Sequence, residues 1–522
     1  MRTPSIPFTI RVLAPFAVNL QVPWQQPPVA VDLSSLDQAV KSICGSAYFP
    51  LPLALCPAGG LEITVSRMKD FHPDGMIQNN PFLRHLLEAG RLLSDHRLSV
   101  AEKKQGLEQF PDLPALDAGA EAKEAISRDA GALDNILNMV AMPGEAQASG
   151  QATKPTSGGT AVDGIIQAVL AHVYSDNAFR EAEAAWRGLQ LLLRQGAGAA
   201  ADFRVEIIPA TLETIEETIG RLTVSQINDL PSLVIVDLPF DNTPHSIHLL
   251  EKVAAFAEML MAPALACASP RLMDLDSWTD LNRLPFLPNY LQSPHFAKFN
   301  RLKAQPEADW VALACNRVLA RYPYGKESRP RTVSFEEPEA LWLRPVWAVS
   351  ALIVKSYAET GWPTRFTEWQ AFQLRDLAVH FIGSDTAVPV EALMSEDRMD
   401  QLRRIGLIPL AAMANRDVVF VPMETTLGGA SLAYQLFASR VTQLLLWCRD
   451  NLSPDFSGPG LEEALKRTFF LFWEKSGHPR PESIEITAGG PDTENRIPLH
   501  LDLQPSRRIL PSGEGLALEF NW

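Results

Sequence analysis

Apolar positions along this chain switch between a period near two and a period near 3.6, and the switches delimit its elements. Phe8–Ala14 alternates as Phe-Thr-Ile-Arg-Val-Leu-Ala and predicts a strand. After Pro23, Pro27 and Pro28, Leu36–Ile43 reads as a helix and Leu61–Val65 as a second strand. The run Met68-Lys-Asp-Phe-His-Pro-Asp74 carries turn chemistry, and a strongly periodic helix over Phe82–Leu93 follows Pro81. Within Glu121–Met142, Leu133, Ile136, Leu137 and Val140 recur at i, i+3, i+4 and i+7.

Residues Pro143–Thr160 hold no apolar side chain larger than Ala, so this stretch reads as a flexible linker. It divides the chain into 1–142 and 161–522. Beyond it, Val162–Val173 and Asn177–Arg194 predict helices. In the second, Phe179, Ala182, Trp186, Leu189 and Leu193 form one apolar stripe, Glu183 and Arg187 make an i,i+4 pair near its edge, and Gly196 offers a stop. Phe203–Ile208 and Leu233–Leu238 are candidate buried strands with helical sequence between them, an order that suggests a parallel α/β core. Ala264–Ala268 and Val418–Val421 are candidates to extend the sheet. Ser395 opens a helix with Glu396 and Asp397 in its first turn, Arg403 and Arg404 in its last, and Gly406 beyond. Gly515–Trp522 alternates as a terminal strand. The fold class expected is mixed α/β: a central β-sheet flanked by helices, preceded by a smaller α/β module.

Composition narrows the function. A formal net charge of −15 argues against a nucleic-acid surface as the main business. Five scattered cysteines without a CxxC pair indicate neither zinc nor a disulfide framework, and read as small buried hydrophobes in a reducing compartment. Arg11 interrupts the first apolar run, so a signal-peptide pattern is missing, and the uncharged stretch Met259–Pro270 is too short for a bilayer span of about 20 residues. A cytoplasmic protein without membrane insertion is expected.

Catalytic signatures fail in turn. Gly325-Lys326 is followed by Glu327, so it is no Walker loop, and neither HExxH nor GxSxG occurs. His245 and His248 lack suitably spaced carboxylates for a metal. His72 between Asp70 and Asp74 is either a ligand or catalytic cluster or a polar turn ahead of a helix. The pair Glu336-Glu337 stands near Arg317, Arg321 and Arg331, which favours ion pairing over acid–base work. Neither enzyme activity nor a cofactor is expected.

Several strings together resemble the large sheath subunit (TssC) of bacterial type VI secretion systems. They begin with Ala-Trp186-Arg187-Gly188-Leu189 and continue with Asn316-Arg317-Val-Leu-Ala-Arg321-Tyr-Pro323-Tyr324-Gly325. Phe335-Glu336-Glu337 with Leu341-Trp342, Gly361-Trp-Pro-Thr-Arg365, and Pro389-Val-Glu391 with Leu402–Leu410 follow in order. The part before the linker is similar to the small subunit (TssB), on Phe8–Ala14, Val31-Asp32 and Asp-Phe-His-Pro-Asp74. The chain as a whole thus resembles a TssB–TssC fusion. Departures are Asn316 where the family has Pro, and Phe299-x-x-Leu-Lys303 for an aromatic Trp-x-x-Phe-Arg.

The resemblance implies a structural protomer that polymerises with copies of itself around an inner tube protein, meets baseplate components, and contracts. It also implies strand exchange between neighbours, for which Phe8–Ala14 and Gly515–Trp522 are candidates, either one alternatively an internal strand. The helix with Leu133, Ile136, Leu137 and Val140 resembles the grip of a ClpV-type AAA+ unfoldase, or else caps the first module. A non-polymerising adaptor at a baseplate or sheath end, and an unrecognised α/β enzyme, are the competing readings.

Overall fold

The computed structural model describes residues 4–116, 158–197, 202–225, 229–452, 458–478, 480–490 and 496–522. Its centre is a seven-stranded sheet, numbered here in chain order: β1 (Phe8–Ala14), β2 (Val29–Ala30), β3 (Phe203–Pro209), β4 (Leu233–Phe240), β5 (Ala264–Ala268), β6 (Val311–Cys315) and β7 (Leu407–Pro409). The spatial order is β7-β6-β5-β4-β1-β3-β2. All neighbours run parallel except the edge strand β2, which is antiparallel to β3. Parallel pairing demands crossovers, and helices Ile215–Ser225 and Pro244–Leu260 supply two of them. Every residue of β1, β5 and β6 is buried; β5 and β6 accordingly read as continuous apolar runs, while β1 also buries Thr9 and Arg11.

Side-chain alternation splits the core in two. Ile10, Val12, Val205, Ile207 and Ile235 join one apolar cluster with Trp186 and Trp347, whereas Leu13, Ile208, Val234 and Val236 join the other with Ile247 and Leu250. The sheet therefore has helices on both faces, the three-layer α/β arrangement expected.

Strand β1 decides between the two readings of Phe8–Ala14. It lies between β3 and β4, with Ile10 opposite Val205 on one side and Leu233 on the other. Both edges are taken, so Phe8–Ala14 is an internal strand and leaves no edge for a neighbouring chain. The residues ahead of the linker thus share a sheet with those beyond it. The rest of that first part includes an antiparallel hairpin, Gly45–Pro50 with Gly60–Val65, and helices Leu36–Ile43 and Pro81–Ser94. The latter begins as expected beyond Pro81's neighbour Asn80, whose side chain accepts from Leu83 N at 3.1 Å. Residues 143–157 of the expected linker lie outside the described residues, and 158–160 already belong to the helix Gly158–Ser175, so the linker is shorter than its composition suggests.

Val418–Val421 also departs from expectation. Val419–Phe420 pairs with Ala411–Ala412 in a separate two-stranded ladder and does not extend the sheet. The sheet ends instead at β7, reached through the helix Glu396–Arg404, whose N-cap Ser395 accepts from Arg398 N. A second sheet closes the chain: Ser483–Ala488, Pro498–Gln504 and Leu516–Asn521 form an antiparallel meander.

Candidate functional site

Two of the motif strings, around Arg321–Gly325 and Glu336-Glu337, meet at the Trp186 helix (Asn177–Gly196). Its apolar stripe packs as its spacing requires: Phe179, Ala182, Trp186, Leu189 and Leu193 are all buried. Trp186 donates its indole N–H to the carbonyl of Phe16, just past β1, at 2.8 Å. The glycine of the string has a steric reason. A Cβ at Gly188 would stand 2.3 Å from the indole of Trp347, on the helix Pro345–Thr360 that packs across it. Any side chain there drives the two helices apart.

Glu183, on the same helix, is fully buried and collects two arginines. Arg187 meets it at 2.7 Å, and Arg321 grips it in a fork at 2.8 and 3.1 Å. The other side of the Arg321 guanidinium takes Glu337 at 2.6 and 2.9 Å and lies 4.0 Å over the ring of Tyr324. Glu337 also accepts from Tyr324 N at 3.0 Å, fixing the Pro323-Tyr324-Gly325 turn. Burial opposes the charge on Glu183 most strongly, yet Arg321 and Arg187 together hold its carboxyl below the usual range. The two carboxylates in turn hold the Arg321 guanidinium above its ordinary value against a large burial penalty.

Around this ion cluster sits an aromatic shell. Tyr174 donates to the carbonyl of Phe71 and packs on Phe179, Tyr324 and Phe335. His72 meets the Tyr324 ring edge-on at 5.0 Å. The Asp70–His72–Asp74 group is a turn: His72 Nδ1 accepts from Asp74 N at 3.2 Å, and Asp70 accepts from Ser66 N at 3.0 Å. Asp74 accepts from the backbone of Arg331 and Thr332 at 3.0 and 2.9 Å, tying the first part of the chain to the segment ahead of Glu336.

Two further charged bolts flank the cluster. Arg317 forks onto Glu391 at 2.6 and 2.9 Å and stacks 5.6 Å over Trp342, so it does not join the Glu336-Glu337 pair. Glu391 also accepts from Ser277 Oγ at 2.8 Å. Asn316 sits in the left-handed region at φ +76 and holds the carbonyls of Ala392 and Leu410, each at 2.9 Å. Proline cannot adopt that φ, so the departure from the family string goes with a local backbone of its own. The other bolt was not legible in sequence. A register shift in β4 between Val236 and Pro239 holds Asp237 in the core, where it accepts from Trp347 Nε1 at 2.8 Å. Arg344 reaches the Asp237 carbonyl at 3.1 Å and pairs with Glu181. Burial pushes the Asp237 carboxyl up to about 6, outweighing Arg344 and the indole.

Gly361, at φ +74, ends the Pro345–Thr360 helix and passes so close to Ser476 that a Cβ would lie 2.7 Å from its carbonyl. Neighbouring Trp362 is buried against Phe437 and Trp473. His248 stands exposed near Glu216 and Glu251, at 3.4 and 3.7 Å. Among the described residues, no His, Cys, Asp or Glu group is placed to hold a metal ion, and no helix is long and apolar enough to cross a membrane. All five cysteines are buried as free thiols. Leu133, Ile136, Leu137 and Val140 lie outside the described residues.

Fold and site together define a three-layer α/β scaffold whose motif residues hold elements to one another. Residues 231–427, which include β4 to β7 and the Arg317–Glu391 bolt, match the VipB family model, described as EvpB/VC_A0108, tail sheath N-terminal domain. The chain is similar to the type VI secretion system sheath protein TssC1 of Pseudomonas aeruginosa strain PAO1, 23% identical over 271 residues. That match covers 46% of this chain and 54% of the relative, so the chain spans about half the length of the curated relative it matches. Among solved structures, the helical sheath of the anti-feeding prophage in its contracted state aligns with 13% identity, 64% of this chain and 77% of that one, at a TM-score of 0.32. The baseplate structure of the same prophage aligns with 12% identity, 65% and 76% coverage and a TM-score of 0.35.

Proposed function

We propose that this chain is the structural protomer of a cytoplasmic contractile sheath of the type VI secretion kind, a small-subunit-like and a large-subunit-like part joined in one polypeptide. It polymerises with its own copies around an inner tube, docks on a baseplate, and does no bond chemistry. The observation that carries this reading is the sheath-family match over residues 231–427. A ClpV-type unfoldase gripping Leu133, Ile136, Leu137 and Val140 completes the cycle by recovering contracted subunits.

The terminal sheet supports a way of linking copies. Ile497 and Trp522 exchange backbone hydrogen bonds at 2.8 and 3.0 Å. By the alternation of an antiparallel ladder, Phe520 and Leu518 also bond inward, so Ala517, Glu519 and Asn521 present their N–H and C=O groups outward. Among the described residues Leu516–Asn521 pairs on one side only and offers an edge for strand addition from a neighbour.

Electron microscopy of the purified chain, alone and co-expressed with an inner-tube protein, tests the reading. Tubes or rings are expected, and monodisperse particles under both conditions overturn it. Glu519→Pro removes an outward N–H without touching an inward ladder bond. Tubes should be lost while the monomer unfolds at nearly the wild-type midpoint. Intact tubes from this variant dismiss the terminal edge as the link.

A further inference from the structure

Among the described residues two arginines are buried, Arg11 and Arg440, and Arg321 and Arg344 are nearly so; all but Arg440 face a carboxylate. Arg11 meets Glu206 at 2.7 Å, Arg321 meets Glu183 and Glu337, and Arg344 meets Glu181. Arg440 is the exception. It projects from the helix Leu432–Asn451, is 3% exposed, and forms no ion pair among the described residues. Its partners are neutral. Nη1 donates to the Pro7 carbonyl at 2.9 Å and to Gln443 Oε1 at 3.0 Å, and Nη2 donates to the Ile6 carbonyl at 3.0 Å. The rings of Phe8, Tyr357 and Phe472 surround it at 5.7–5.8 Å. A guanidinium has five N–H donors, so Nε and one hydrogen of Nη2 remain for a further acceptor.

A cavity of about 220 Å³ opens beside this group, lined by Arg440, Tyr357, Lys475 and Asp202. Lys475 pairs with Asp202 at 2.8 Å, so among the described lining residues those two charges offset each other and the net charge is the single positive charge of Arg440. Burial drives the guanidinium below its ordinary range, outweighing Tyr357 and the through-space attraction of Asp202, which makes no ion pair with it. The volume equals that of roughly seven waters, enough for a carboxylate with some of its hydration.

We propose that this cavity is a carboxylate-binding site in which Arg440 supplies the charge. Two sources carry that chemistry: a free small carboxylate, or an Asp or Glu side chain of a second copy of this chain.

Acetate is the probe, titrated into the full chain against chloride at matched ionic strength while the thermal midpoint is followed. Wild type should be stabilised by acetate beyond chloride. Lys475→Gln leaves Asp202 to neutralise the cavity and should weaken acetate about fivefold, whereas Asp202→Asn raises the charge and should tighten it by a similar factor. Both side chains are partly exposed, so both variants should fold. Equal effects of acetate and chloride on wild type, or variants that do not shift in opposite directions, overturn the site. Sedimentation with and without saturating acetate then separates the sources. Self-association released by acetate identifies a second copy's side chain, and association indifferent to bound acetate identifies a free carboxylate.

Discussion

In the seven-stranded sheet β1 is buried along its whole length, whereas in the terminal sheet Leu516–Asn521 alternates buried and exposed positions. The first sheet has layers on both faces and buried ion pairs around it. The second keeps a solvent face and one unpaired edge. A sheet covered on both sides cannot exchange strands without unfolding, while an open meander can do so at little cost. The difference supports the proposed reading, in which the covered sheet is the rigid body and the open one carries the links between copies.

The comparison is tested hardest at Glu183. Glu183→Ala leaves Arg187 unpaired and Arg321 with Glu337 alone, in a site where the carboxylates are buried and the arginines nearly so. Removing one partner of a buried pair costs about 3–5 kcal/mol. Urea unfolding followed by tryptophan fluorescence should show this as a large drop in midpoint for the whole chain. A loss under about 1 kcal/mol would mean that the ion cluster does not hold the body together.

Asp237 gives the next largest effect and a direction. Its carboxyl rises from an ordinary 3.8 to about 6 in the folded chain, because burial penalises the anion. The native state therefore binds the extra proton, so this contribution is complete below pH 3.8 and disappears as pH rises through about 6. Two units correspond to about 3 kcal/mol. Subtracting the Asp237→Asn profile from wild type should leave a stability difference that falls between pH 4 and 6. A flat difference would show Arg344 compensating the charge fully.

How much of this was legible follows from what each signal encodes. The Trp186 stripe, the Leu36–Ile43 helix and strands Phe203–Pro209 and Leu233–Phe240 were readable because periodicity reports burial, and burial decided them. The central place of β1 was not, since an apolar run gives no strand order, and its neighbours lie almost 200 residues onward. Glu183 was visible as an i,i+4 partner of Arg187, but helix spacing placed it near the edge of the stripe. Only the return of Arg321 from 138 residues away makes its full burial tolerable. Asp237 carried no local pattern because its partners, Trp347 and Arg344, lie more than 100 residues onward, and Arg440 none because carbonyls and rings from distant segments surround it.

The smallest effect probes why the terminal sheet is open on one side only. Its other outer strand, Ser483–Ala488, lies against the helix Pro459–Lys475, and Glu462 Oε1 accepts from Ala488 N at 2.8 Å. Glu462→Ala should free that amide at a cost of about 1 kcal/mol or less. Hydrogen exchange at Ala488 should accelerate, while the global unfolding midpoint moves little. If the carboxylate is what blunts this edge, the variant presents two open strands, and light scattering should rise with protein concentration beyond wild type. Faster exchange without added association would instead assign the protection to the helix as a whole, leaving Leu516–Asn521 as the edge on which linkage depends.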